Sequence, residues 1–147
     1  MSAVVASFFG VGCFPVAPGT AGSVAALLIG AGLMLGSPWL LPLAAALAAA
    51  GGYFAITHAV ADPEADPGWV VIDEVAGQWI AMLGLAGVSI TGLGAAFIGF
   101  RVLDIWKPGP VGWADRQAGA FGIMADDILA GVVVALVLYA ARQIVNF

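Results

Sequence analysis

The sequence predicts an all-α integral membrane protein: a compact bundle of about five short transmembrane or half-spanning helices, with a polar site at its cytoplasmic ends. Composition is the first reason. Of 147 residues, 63% are hydrophobic and only 9% are charged, whereas a soluble domain carries about a quarter charged residues. Pattern is the second: four apolar stretches, Val24 to Leu35, Trp39 to Ile56, Val75 to Phe100 and Ile128 to Ala141, are separated by short polar segments. No repeat, low-complexity tract or linker interrupts them, so residues 1–147 read as a single membrane-embedded domain.

A spanning helix needs about 20 residues, which makes the first stretch short and the third long. Gly84, Gly87, Gly92 and Gly94, with Ser89 and Thr91 among them, predict a break near Gly87 to Thr91. Helices near 22–36, 38–61, 73–87, 90–106 and 125–145 then alternate in direction, and every polar segment falls on one side of the membrane. Arg101, Lys107 and Arg116 share that side while Arg142 does not, which the positive-inside rule reads as cytoplasmic. The first basic residue is Arg101, so the N-terminus has no basic region of a secretory signal and the apolar segments are expected to be retained. Cys13, the single cysteine, excludes an internal disulfide and is expected to be a small buried hydrophobe. A net charge of −5 argues against nucleic acid as a partner and requires a counter-charge for any anionic substrate, which a bound divalent cation can supply.

Four segments can carry chemistry. GVGCFPVAPGTAGS (10–23) places Thr20 and Ser23 before an apolar helix, either as a capped turn or as hydroxyls and amides that receive a phosphate. WVVIDEVAGQW (69–79) sets Asp73 and Glu74 at a helix start, where carboxylates cap the helix or hold a metal. Gly77, four residues after Asp73, allows another backbone or a ligand to approach that face. In GFRVLDIWKPGP (99–110), Arg101, Asp104 and Lys107 recur every three residues as a cation–anion–cation stripe, read as a phosphate grip or as a salt-bridge ladder. FGIMADDILAG (121–131) presents Asp126 and Asp127, adjacent acids that a divalent cation would neutralise, at the expected start of the last helix. His58 and Asp62, four apart, are secondary candidates beside an acidic loop with Glu64 and Asp66.

Residue types exclude several phosphatase chemistries. The position six after Cys13 is Gly19 and not arginine, and His58 has no second histidine to work with. The remaining pattern resembles the phosphatidylglycerophosphatase A family, bacterial membrane enzymes of phospholipid synthesis. It does so through PVAPGTAGS (15–23), the His58 to Asp62 spacing, VIDEVAGQW (71–79), GFRVLDIWKPGPVGWADR (99–116) and GIMADDILAG (122–131), in the family's order.

The resemblance implies magnesium-dependent hydrolysis of the terminal phosphate of phosphatidylglycerophosphate, giving phosphatidylglycerol, at the cytoplasmic face of a bacterial plasma (inner) membrane. It places Asp73, Glu74, Asp104, Asp126 and Asp127 at acidic positions typical of the family, and Thr20, Ser23, Arg101 and Lys107 at its polar positions. The expected metal ligands are Asp73, Asp126 and Asp127 with Glu74 or Asp104. Asp73, Glu74, Asp104 and Asp127 are the expected catalytic acids, and Arg101 and Lys107 the phosphate-binding cations, with Thr20 and Ser23 beside them. The rival reading is a small ion-coupled transporter using the same carboxylates. Small-residue pairs such as Gly77 and Ala81 allow close helix packing within one chain or in an oligomer.

Overall fold

The computed structural model describes residues 1–62 and 67–145. Among them all regular structure is helical: α1 (Ser2–Ala6), a 3₁₀ turn (Val11–Cys13), α2 (Pro18–Gly36), α3 (Leu40–Ala59), α4 (Ile72–Met82), α5 (Ile90–Trp106), α6 (Pro110–Asp115) and α7 (Gly119–Ala141). Helices α2, α3 and α7 are long and apolar enough to cross a membrane; nineteen residues of α2 rise about 28 Å, close to the thickness of a hydrocarbon core. With the family assignment given below, the chain is a membrane protein.

Local chemistry sets the helix ends. Pro18 opens α2 at a position where its missing N–H costs nothing. The third apolar stretch is two helices, as the glycine pattern predicts. α4 stops at Met82, and Ser89 caps α5 by accepting a hydrogen bond from the Gly92 amide at 3.0 Å. Lys107 closes α5 in a left-handed conformation (φ 48°), because the following Pro108 disfavours a helical residue before it.

The short helix α4 is the centre of the bundle. Nine of its eleven residues are buried, and α2, α3, α5 and α7 all pack on it. Trp79 donates from Nε1 to the Ala26 carbonyl oxygen at 2.8 Å, fixing α4 to α2. Gly77 lets α7 approach, for a Cβ there would lie 2.6 Å from the Asp127 carbonyl oxygen. The N-terminal segment closes over one end: the Val71 amide donates to the Ala6 oxygen at 3.0 Å, and Phe8 packs edge-on against Trp79. Outward faces carry exposed Leu28, Leu43, Leu47, Ile98, Leu136 and Val137. Exposed Trp39 and Tyr139 mark one end of the bundle, and Trp106 and Trp113 the other, as interfacial aromatics do.

Several expectations are corrected. α2 begins at Pro18, not near 22, so Thr20 and Ser23 lie inside the helix and do not cap it. α7 begins at Gly119, not 125, which puts Asp126 and Asp127 in its interior. Cys13 is exposed, because Gly12 is the buried residue of that turn and presses against the Trp69 carbonyl group. Helices α1 and α6 are too short for hydropathy to register. Arg142, as expected, lies at the end away from the other cations, donating to the Leu85 oxygen at 3.0 Å in the α4–α5 break.

Candidate active site

The starts of α2 and α4, the end of α5, and α6 with the first turns of α7 meet at one end of the bundle. A cavity of about 360 Å³ opens there, lined among others by Asp73, Glu74, Asp104, Lys107, Asp126 and Asp127. Asp73, Glu74 and Asp127 each offer a carboxylate oxygen within 4.8 Å of the other two. Asp73 and Glu74 occupy the first turn of α4, where the helix dipole favours negative charge. Asp127 reaches them because the Gly77 contact lets α7 cross so closely.

These acids are deeply placed. Asp73 is 8% exposed and Asp127 only 2%, and Glu74 Oε2 and Asp127 Oδ1 are buried without a hydrogen-bond partner among the described residues. Buried anionic oxygens in such an arrangement are costly unless a cation joins them. Three converging carboxylates, with the Glu74 and Asp127 oxygens orphaned among the described residues, fit a hard divalent cation that takes oxygen ligands.

The other expected residues divide. Arg101 pairs with Asp104, and its Nη2 donates to Thr20 Oγ1 at 3.4 Å. Gly19 makes room for this corner, since a side chain there would collide with the Glu74 carboxylate and stand 3.6 Å from Arg101 Nη1. Lys107 does not continue the Arg101–Asp104 stripe. Its left-handed backbone turns it toward Asp115 and toward Asp126, which it meets at 2.8 Å. Burial alone would lower the Lys107 pKa, but hydrogen bonds to Asp115 and Asp126 outweigh it and hold the ammonium above its ordinary range.

Asp126, expected as a metal ligand, stands outside the trio with both oxygens engaged: Oδ2 accepts from Lys107, and Oδ1 accepts from the Asp127 amide at 2.9 Å. Ser23 is fully buried, donates back to the Gly19 carbonyl at 2.9 Å and does not line the cavity. His58 is exposed at the end of α3, its Nδ1 2.7 Å from the Phe54 oxygen, and neither it nor the exposed Asp62 lines the cavity. Glu64 and Asp66 lie outside the described residues.

Sequence reasoning assigned no role to Asp115 or to Gln78, and gave Arg116 none beyond its side of the membrane. Asp115 and Arg116 line the cavity from the end of α6, and Gln78 is fully buried one turn beyond Glu74 with its amide atoms unpartnered among the described residues. Their signal was present: a polar side chain four positions after Glu74 in an apolar helix, and an acid–base pair just after the Lys-Pro turn.

Residues 4–142 match the family described as Phosphatidylglycerophosphatase A. The chain belongs to this family. It is 41% identical to Phosphatidylglycerophosphatase A of Escherichia coli (strain K12) over 134 residues, 89% of this chain and 77% of that one. It is 34% identical to Phosphatidylglycerophosphatase A of Haemophilus influenzae, covering 91% of this chain and 84% of that one. A Bacteroides thetaiotaomicron protein, provisionally named a phosphatidylinositol-3-phosphatase, is 33% identical over 97% of this chain and 94% of its own. No solved structure matches the chain. The family assignment makes the chain one of a group of phosphatases of phospholipid metabolism, and it lends nothing to the transporter reading.

Proposed function

We propose that this phosphatase hydrolyses the terminal phosphate of phosphatidylglycerophosphate, releasing phosphatidylglycerol and inorganic phosphate, and that it requires magnesium. The observation that carries this is the meeting of Asp73, Glu74 and Asp127 within 4.8 Å in a chain of this family. Those three carboxylates, with Asp104 at their edge, would hold the cation. Asp126 is better read as the anchor of Lys107 than as a ligand. When bound, magnesium would offset charge on the phosphoryl oxygens and lower the pKa of a coordinated water.

The chain's own side chains do the rest. Arg101 and Lys107 flank the carboxylates and can exchange part of their present pairing for phosphate oxygens, holding the reacting group in line. Thr20 keeps the Arg101 guanidinium at the α2–α5 corner. The products require that the phosphorus–oxygen bond to the headgroup glycerol break, with water supplying the new oxygen of the released phosphate. An aspartate nucleophile would give a trappable phosphoryl-enzyme first, whereas direct attack by water would not.

Access from the membrane plane suits a lipid substrate. Arg101 also borders an apolar groove on the outer face of α5, formed with Phe97, Ile98, Val102, Ile105 and Trp106. A headgroup at Arg101 can therefore leave its acyl chains in lipid. Three of the four basic residues, Arg101, Lys107 and Arg116, lie at this end, which supports a cytoplasmic site in a bacterial inner membrane.

The test is phosphate release from phosphatidylglycerophosphate by purified protein in detergent, with and without magnesium, beside Asp127→Asn. Magnesium-dependent release that the substitution abolishes supports the reading. Absence of release with any divalent metal removes the assignment, and undiminished activity in Asp127→Asn removes the ligand set.

A further inference from the structure

We propose that Arg116 binds the second phosphate of the substrate, the diester linking headgroup to diacylglycerol, and so sets a preference for lipids that carry two phosphates. The inference rests on the substrate proposed above. Its starting point is the charge balance of the cavity, whose lining holds six acidic side chains but only two cationic ones, Lys107 and Arg116. Lys107 is shared between Asp115 and Asp126, and Arg101, at the corner, is paired with Asp104. Among the described residues, Arg116 is the cavity-lining cation that forms no ion pair.

Its position suits the outer of two phosphates. Arg116 follows α6 and is exposed where it lines the cavity, whereas the Asp73 and Asp127 side chains that line the same cavity are buried. The α5–α6 corner holds it there: Gly112 packs against the Lys107 carbonyl, and a Cβ on Gly112 would stand 3.5 Å from Arg116 Nη1. A guanidinium can meet two phosphate oxygens in a fork, which suits the singly charged diester. The diester survives the reaction unchanged, so a contact with it is equally strong before and during bond breaking. Such a contact lowers KM and leaves kcat alone.

The test compares wild type, Arg116→Ala and Arg116→Lys as full-length protein in neutral detergent with magnesium. Calorimetric titration with short-chain phosphatidylglycerol, which has only the diester, probes the outer position, and inorganic phosphate probes the reacting one. Arg116→Ala should weaken phosphatidylglycerol binding about tenfold and raise KM for phosphatidylglycerophosphate similarly, while kcat and phosphate affinity hold, with Arg116→Lys intermediate. Unchanged or undetectable phosphatidylglycerol binding in wild type and variant overturns the proposal. So does an equal loss for inorganic phosphate, which would put Arg116 on the reacting group. A defect confined to anionic vesicles and absent in neutral detergent also overturns it, in favour of a general membrane-surface contact. Failure of the substrate assignment would look different: wild type would release no phosphate whatever the binding results.

Discussion

A Cβ placed on Gly77 would stand 2.6 Å from the carbonyl oxygen of Asp127, closer than any real side chain sits. The same crossing is tight from the other helix, where a Cβ on Gly131 would lie 3.1 Å from the Gly77 Cα. Gly77 is one turn beyond Asp73, so how closely α7 can approach α4 here helps set how closely the Asp73 and Asp127 carboxylates meet. Gly77→Ala should therefore cost stability, by about 1–3 kcal/mol for an overpacked core, and reduce activity further than stability alone explains. Gly51→Ala is the control: it meets nothing within 4 Å in α3 and should be neutral or stabilising. Thermal unfolding in detergent, with activity measured well below each midpoint, separates the two effects.

The orphaned Asp127 oxygen predicts opposite responses of fold and function. Asp127→Asn removes a buried charge and should stabilise the metal-free protein by about 2 kcal/mol while lowering turnover on the order of 100-fold. Melting curves in chelator and phosphate-release assays report the two quantities. An Asn variant less stable than wild type in chelator would contradict the burial argument.

Magnesium binding should itself be visible without substrate. A cation that binds only the folded chain at 100 times its dissociation constant adds about 2.7 kcal/mol of stability. The midpoint should rise with added magnesium in wild type and stay still in a combined Asp73→Asn, Asp127→Asn variant. A shift of equal size in both would place the ion elsewhere.

Lys107 balances two carboxylates, so Lys107→Met leaves Asp115 and Asp126 facing one another without a cation. Activity should fall strongly and stability should drop as well. Asp115→Asn leaves the Asp126 pairing in place and should change turnover by only a few-fold, because an exposed partner contributes about 1 kcal/mol or less. If the Asp115 variant is as impaired as the Lys107 variant, α6 has a larger role than clamping this lysine.

Trp79 joins α4 to α2 by a buried hydrogen bond. Trp79→Phe leaves the Ala26 carbonyl without that donor and should cost about 1–3 kcal/mol, read as a lower unfolding midpoint with near-normal turnover in the cold.

What could be read in the sequence follows how local each cause is. The break between α4 and α5 was legible because glycines with Ser89 and Thr91 punctuate an otherwise apolar run. Alternating helix direction brings the acidic segments to one end, but that Glu74 and not Asp126 joins Asp73 and Asp127 depends on the Gly77 crossing and on the Lys107 pairing, which no local pattern shows. The start of α7 was not legible either. Two adjacent acids look like a helix beginning, and only the cavity explains why Asp126 and Asp127 are tolerated two turns inside it. The Arg101–Asp104–Lys107 stripe assumed unbroken helix through Lys107, whereas Pro108 ends it one residue sooner. The pairing of Lys107 with Asp115 depends on α6, a helix of six residues with no periodicity to detect.

The shortness of α4 has a topological consequence. Its eleven residues rise about 16 Å, roughly half a membrane, and they end on an apolar layer that includes Met82 and Leu85. The polar cavity is thus a cup with a greasy floor, which on the proposed reading opens toward a single leaflet. On the proposed reading, substrate made in that leaflet is within reach and the same lipid in the opposite one is not. Newly made phosphatidylglycerol would then begin its life on one side of the bilayer, and the other side could be supplied only by lipid that has been flipped across.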